Sequence, residues 1–345
     1  MSFLCTDVDM MRSIESQMSR FSQPTLVVQL RAGWVSARIF WFLWIFAGGL
    51  LWAGAPASKA ARDIRWPLRL QVRDTNGEVI ADSGKGSRSS AVLTFEHEYQ
   101  PGDRIVVSGP TRMALRVDDW IPECLVYVGN SSEKQFTYYI PFGQGEPATR
   151  SPFSQDSFRG GWHRITAREL TAAEFDRYRN LAMNACDQEK QLPALGDTIS
   201  EPQVLLFPHA STNSVSRRLP DFAARNAIDG MTENGHHGVW PYQSWGPELR
   251  SDLWWRVDFG RAVELDKIRL MVRADFPHDS YWQSAVIEFS DGGELPIKIL
   301  QTAEFQDFPF PKRSVMWFRI YKLVPADPER WCSFIEVEAW GHDLR

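Results

Sequence analysis

At 345 residues the chain is longer than one hydrophobic core ordinarily organises, so two globular domains are expected. A charged fraction of 23% beside a hydrophobic fraction of 43% excludes an extended, disordered chain. The formal net charge of −5 supplies no basic stripe for a phosphate backbone, so no nucleic-acid partner is expected.

From the N-terminus, Ile39 to Ala57 is a run of nineteen residues without a charge, preceded by Arg31 and Arg38. It is long enough to cross a bilayer as a helix. It also closes on small residues, Ala53-Gly54-Ala55 and Ser58-Lys59-Ala60, which suit a signal-peptidase site. The 38 residues ahead of it exceed an ordinary signal n-region. That leaves an uncleaved anchor, a start at an internal Met such as Met18, or an over-extended gene start whose leader is not expressed. Residues 1–61 are read as a leader, and export to the cell surface or beyond is expected, with membrane contact only through 39–57. A mis-assigned start would leave the protein cytoplasmic.

Residues 62–142 read as a first, small β-sandwich. Leu68, Leu70 and Val72 alternate with Arg69, Gln71 and Arg73, and Asp74-Thr75-Asn76-Gly77 supplies a hairpin-type turn. Strands are expected at Glu78–Ala81, Ala91–Phe95, Arg104–Ser108, Ala114–Val117, Cys124–Val128 and Phe136–Ile140, separated by Pro- and Gly-containing turns. Residues 143–205 read as a connector. Within it Thr171-Ala172-Ala173-Glu174 is a capping-box pattern that opens a helix over about 172–185, with Phe175, Tyr178 and Ala182 on one face.

Residues 206–345 read as a second β domain, expected to fold by itself. Asn226-Ala227-Ile228-Asp229-Gly230 is a short apolar piece running into a turn. In Trp254–Gly260, Trp255, Val257 and Phe259 alternate with Arg256 and Asp258, the period of a half-buried strand, and Gly260 is expected to end it. Further strands are expected at Lys267–Val272, Ala285–Phe289, Leu295–Leu300, Val315–Leu323 and Phe334–Trp340, the last followed by Gly341. The fold class is therefore all-β: two sandwiches joined by a connector with one helix.

The Asp229-Gly230 turn, the Trp255–Gly260 strand and the closing Ile335-Glu336-Val337-Glu338-Ala339-Trp340-Gly341 strand stand in an order that resembles the discoidin (coagulation-factor type C) family. That family is a galactose-binding-like jelly roll that includes many carbohydrate-binding modules. The resemblance covers about residues 206–345 and implies a sugar-binding, non-catalytic domain. Members often tie their ends with a Cys pair, which Cys332 alone cannot supply. Cys5, Cys124, Cys186 and Cys332 are widely spaced, so neither a disulfide framework nor a zinc site follows, and buried thiols are expected.

The resemblance also implies ligands. Carbohydrate-binding members place an Arg after the strand matched by Lys267–Val272, where Arg273 stands. The loop from Arg273 to Trp282 adds Asp275, His278 and Trp282 to it, side chains able to bridge hydroxyls or to stack on a sugar face. The loop from His236 to Trp245 adds His237, Trp240 and Tyr242, with Trp245 expected in the core. The His236-His237 pair lacks the spacing of a helical zinc site. Many members hold a structural Ca²⁺, for which Asp229 and Glu336 match the acids and Asn234 could add an oxygen. No nucleophile elbow, Walker A loop, dinucleotide fingerprint or metalloprotease signature is present. The alternatives to a carbohydrate-binding protein are a glycan-acting enzyme with a site between the domains and a protein–protein adhesion module.

Overall fold

The computed structural model describes residues 67–84, 89–129, 135–141, 152–188 and 206–344. The leader 1–61 with its hydrophobic run 39–57 and Cys5, and residues 143–151 and 189–205 of the connector, lie outside the described residues. Among the described residues no helix is long and apolar enough to cross a membrane.

In chain order the strands of the first half are β1 (Arg69–Arg73), β2 (Val79–Asp82), β3 (Ser90–Glu96), β4 (Arg104–Ser108), β5 (Arg112–Arg116), β6 (Cys124–Val128), β7 (Gln135–Tyr139) and β8 (Trp162–Glu169). After α1 (Ala172–Asp176) come β9 (Arg179–Asn180), β10 (Leu206–Phe207), β11 (His209–Thr212), β12 (Trp254–Val272), β13 (Trp282–Phe289), β14 (Glu294–Lys298), β15 (Gln306–Pro325) and β16 (Phe334–Asp343). All strand pairs are antiparallel, and the expected all-β, two-sandwich architecture is present.

The first sandwich stacks a sheet of order β2-β1-β4-β7 on one of order β10-β6-β5-β8-β3. Its core is set by alternation: β3 buries Ala91, Leu93 and Phe95 and exposes the residues between them. Two of its strands come from outside 62–142. Trp162–Glu169, inside the stretch expected to be a connector, runs along β3 from Ser90↔Arg168 to Glu96↔Trp162 and buries His163, Ile165 and Ala167. Leu206 and Phe207 pair with Val128 and Tyr127.

The expected helix is cut short. The capping box is formed, with Thr171 Oγ1 accepting from Glu174 N and Glu174 Oε2 accepting from Thr171 N, yet the helix stops at Asp176 and Arg177 is extended. Arg179 and Asn180 pair instead with Gly341 and Trp340 of β16. Five residues gain too few helical bonds to offset nucleation, and sheet pairing wins over a three-and-four spacing. Residues 181–188 then pin the two sandwiches together. Leu181 and Ala182 lie in the second core, whereas Ala185 and Cys186 lie in the first. The Asp187 carboxylate bonds His209 Nδ1 at 2.8 Å and accepts from Ala210 N at 2.8 Å.

The second sandwich is built on two long bent strands. The N-terminal part of β12 pairs with β11 and with residues 317–321 of β15, and its C-terminal part pairs with β16 and with residues 306–315 of β15. Trp255, Val257 and Phe259 are fully buried, as their alternation predicts. Gly260 does not end the strand. It takes φ +66° at the irregularity between Asp258 and Val263, where a Cβ would strike the Phe207 ring, so it bends β12 rather than terminating it. Gly341 is required for another reason, since a Cβ there would collide with the Glu264 carbonyl on the neighbouring strand. Cys124, Cys186 and Cys332 are buried free thiols.

Candidate functional site

Three connections of the second sandwich are laced together by backbone hydrogen bonds. Arg273 N donates to Ser333 O at 3.1 Å, Ala274 N to Asn234 O at 2.8 Å and Ser280 N to Trp331 O at 2.9 Å. Residues 229–245, 273–281 and 326–333 thereby form one loop cluster. It is anchored by the reciprocal backbone pair of Trp245 and Phe334.

At its centre is Asp275. His237 Nδ1 lies 3.1 Å from Asp275 Oδ2, His236 Nδ1 3.7 Å and His278 Nδ1 3.9 Å. His278 Nδ1 is also 3.2 Å from Asp279 Oδ1. The His237 and His278 rings are stacked, 3° from parallel with centroids 4.8 Å apart, and His236 meets the Tyr242 ring at 5.4 Å. The hydrogen bond from His237, helped by the charges of all three imidazoles, holds the Asp275 carboxyl below its ordinary range. His236 and His278 are exposed, as is Trp240 in the same loop, and Trp331 brings a second exposed indole to the cluster. The loop cluster thus brings His237, Tyr242, Asp275 and His278 together. His236 and Asp279, in the two loops the sequence singles out, join them without having been assigned a role, and Trp331 is added by the lacing of a third loop.

Two expected ligands belong to the scaffold. Arg273 is 4% exposed, and its guanidinium is committed to Asp279, with Nε donating to Oδ2 and Nη2 to Oδ1 at 2.9 Å. Its surroundings explain the reassignment: a buried guanidinium must be matched by a buried carboxylate, and Asp279 is fully enclosed. Arg273 therefore positions Asp279 rather than meeting a ligand at the surface. Trp282 is 2% exposed, stacked on Trp245 at 5.3 Å and packed against Phe334 at 4.5 Å, so its indole is core. Trp245 is core as expected.

Asp229 and Glu336 do converge, in the interior. Both are buried, and Gly230 N donates to Glu336 Oε2 at 3.2 Å. Met231 N donates to Asp229 Oδ1 and Gln243 Nε2 to Asp229 Oδ2, each at 2.9 Å, with Arg225 Nη1 3.8 Å from the same carboxylate. Glu336 Oε1 and Gln243 Oε1 have no hydrogen-bond donor among the described residues. Burial pushes both carboxyls up, and Glu336 is raised further by the charge of Asp229. Asn234 is tied elsewhere, its Nδ2 donating to Ala303 O at 2.6 Å and its backbone carbonyl accepting from Ala274 N.

Between the two sandwiches lies a groove of about 520 Å³ lined by Glu123, Leu125, Arg177–Asn180, Met183 and Trp340. Glu123 is its one carboxylate, and Arg168 Nη2 donates to it at 2.6 Å. Two further acids bond its lining side chains: Tyr178 Oη donates to Asp266 Oδ1 at 2.6 Å and Trp340 Nε1 to Glu338 Oε2 at 2.7 Å.

No family model and no curated protein matches the sequence. Among solved structures, a chitosan-binding module of a chitosanase/glucanase from Paenibacillus is 20% identical over 48% of this chain and 100% of its own, with a TM-score of 0.32. A fucose-binding module from Streptococcus pneumoniae is 18% identical over 48% of this chain and 99% of its own, at 0.32. The family 32 carbohydrate-binding module of C. perfringens NanJ, in complex with galactose, is 16% identical over 38% of this chain and 91% of its own, at 0.30.

Proposed function

We propose that the protein is a non-catalytic carbohydrate-binding protein that takes a glycan at the loop cluster around Asp275. The observation that carries this reading is the pairing of exposed rings with a fixed polar centre. Trp240 and Trp331 offer flat apolar faces, and Asp275, His237 and His278 offer donors and acceptors held by their neighbours. A sugar has both kinds of surface, a C–H face that packs on an indole and a rim of hydroxyls that need hydrogen-bond partners. Arg273 and Trp282 serve by fixing the loop from below. The discoidin-like order of motifs over about 206–345 favours the same reading, and the uncharged run 39–57 favours export.

We extend the proposal to a calcium ion at the Asp229–Glu336 pair, with Arg225 Nη1 3.8 Å from the Asp229 carboxylate as its competitor. Asp229, Glu336 and Gln243 are all buried, and Glu336 Oε1 and Gln243 Oε1 lack donors, a state that a hard dication would relieve. Asp229, Glu336 and Gln243 would hold it, and it would brace the loop that carries His237 and Trp240.

A glycan array probed with the full chain tests the reading. Binding to a defined glycan that weakens in His278→Ala and Trp240→Ala supports it. An array without hits, or binding untouched by both substitutions, overturns it.

A further inference from the structure

Four side chains of the loop cluster bring two imidazoles and two carboxylates to one place. The ligand atoms of His237, Asp275, His278 and Asp279 all lie within 4.8 Å of one another. His237 Nδ1 to Asp275 Oδ2 is 3.1 Å, His278 Nδ1 to Asp279 Oδ1 is 3.2 Å, and His278 Nδ1 to Asp275 Oδ2 is 3.9 Å. Zinc bonds to imidazole nitrogen and carboxylate oxygen of about 2.0–2.2 Å put neighbouring corners of a tetrahedron about 3.3–3.6 Å apart. The three separations bracket that edge.

From this geometry we infer that His237, Asp275, His278 and Asp279 bind a divalent transition-metal ion of the zinc class. The donor set selects the ion. Two imidazoles with two carboxylates suit zinc and its neighbours, whereas calcium and magnesium take oxygen alone. The site is accordingly distinct in chemistry from the all-oxygen pair at Asp229 and Glu336. Charge agrees: Arg273 offsets Asp279 alone, so the two carboxylates and the guanidinium sum to −1 before the imidazoles are counted, a balance that favours a cation. The support behind it is already built. Arg273 grips both oxygens of Asp279 and leaves each a lone pair for the metal, and its own backbone is tied to Ser333. Within the loop, Asp279 N donates to Asp275 O at 2.9 Å, which fixes the separation of the two carboxylates. Arg273 is thus a positioning residue for a metal ligand, a role that metal sites commonly require of the groups around their first ligands.

The inference does not rest on glycan binding and is tested without any glycan. Tag-free full-length protein is stripped with a chelator, titrated with zinc in a calorimeter, and assayed for retained zinc after gel filtration; cobalt is then substituted for optical spectroscopy. The expected result is one equivalent of zinc retained and the visible absorption bands of four-coordinate cobalt. His237→Ala and His278→Ala should each weaken binding by more than about 100-fold, and Arg273→Lys by about 10–100-fold, the range of supporting residues. Both histidines are on the surface, so circular dichroism should show the Ala variants folded. Asp252→Asn, at an exposed acid outside the loop cluster, should leave zinc binding unchanged. Retention of less than one equivalent, or an equivalent that survives the His237→Ala/His278→Ala double substitution, overturns the proposal.

Discussion

Arg273 Nη2 donates to Asp279 Oδ1 at 2.9 Å, and both side chains are buried. A residue that the sequence offers as a surface ligand is therefore half of an interior ion pair. Removing one partner of such a pair leaves an uncompensated charge, at a cost of about 3–5 kcal/mol. Arg273→Ala should lose that much stability in urea denaturation, and an Arg273→Met/Asp279→Leu double variant should regain most of it. An Arg273→Ala protein as stable as the wild type would mean that the pair does not hold the loop.

The two tryptophans of the expected site should behave oppositely. Trp282 is buried in a three-ring cluster with Trp245 and Phe334, so Trp282→Ala should cost about 3–5 kcal/mol in cavity and lost transfer energy. Trp240 is 39% exposed, and Trp240→Ala should change stability by no more than about 0.5 kcal/mol. The same substitution should weaken glycan binding by about tenfold or more, equivalent to ~1.4 kcal/mol. Paired melting and titration of the two variants separates core from site.

Calcium should raise the melting temperature through the buried Asp229–Glu336 pair. At a hundredfold excess over Kd the native state gains about 2.7 kcal/mol. Asp229→Ala should remove the rise. Identical melts in millimolar calcium and in chelator would rule out this ion.

Acid should loosen the junction through Glu174. Its carboxylate accepts two hydrogen bonds from Arg168 as well as those of the capping box, and these lower it from 4.5 to about 2. A carboxyl depressed in the folded state contributes stability that is present above its unfolded value near 4.5 and lost as pH falls through about 2. Glu174→Gln should therefore be less stable than the wild type at pH 6 and should converge with it toward pH 2. Parallel curves across that window would show that Glu174 contributes nothing to acid sensitivity.

What the sequence determined by itself was local. Alternation in Trp254–Phe259 is enough to put Trp255, Val257 and Phe259 in a core, because successive strand side chains face opposite sides whatever the sheet packs on. The Thr171–Glu174 capping box is likewise legible, since both partners lie within one turn. The same period was present in Trp162–Glu169 and marked a strand that a linker-rich neighbourhood obscured. Only the tertiary structure decided the rest. Whether the chain stays helical beyond Asp176 depends on β16, an edge more than 150 residues away that claims Arg179 and Asn180. Whether Arg273 faces a ligand or Asp279 depends on how deeply the loop seats beneath its neighbours. His237 and His278 are 41 residues apart, and no spacing rule can announce a cluster whose members meet only when separate loops close over one end of a sandwich. Periodicity fixes which way a side chain points; the company it keeps across loops is set by long-range packing.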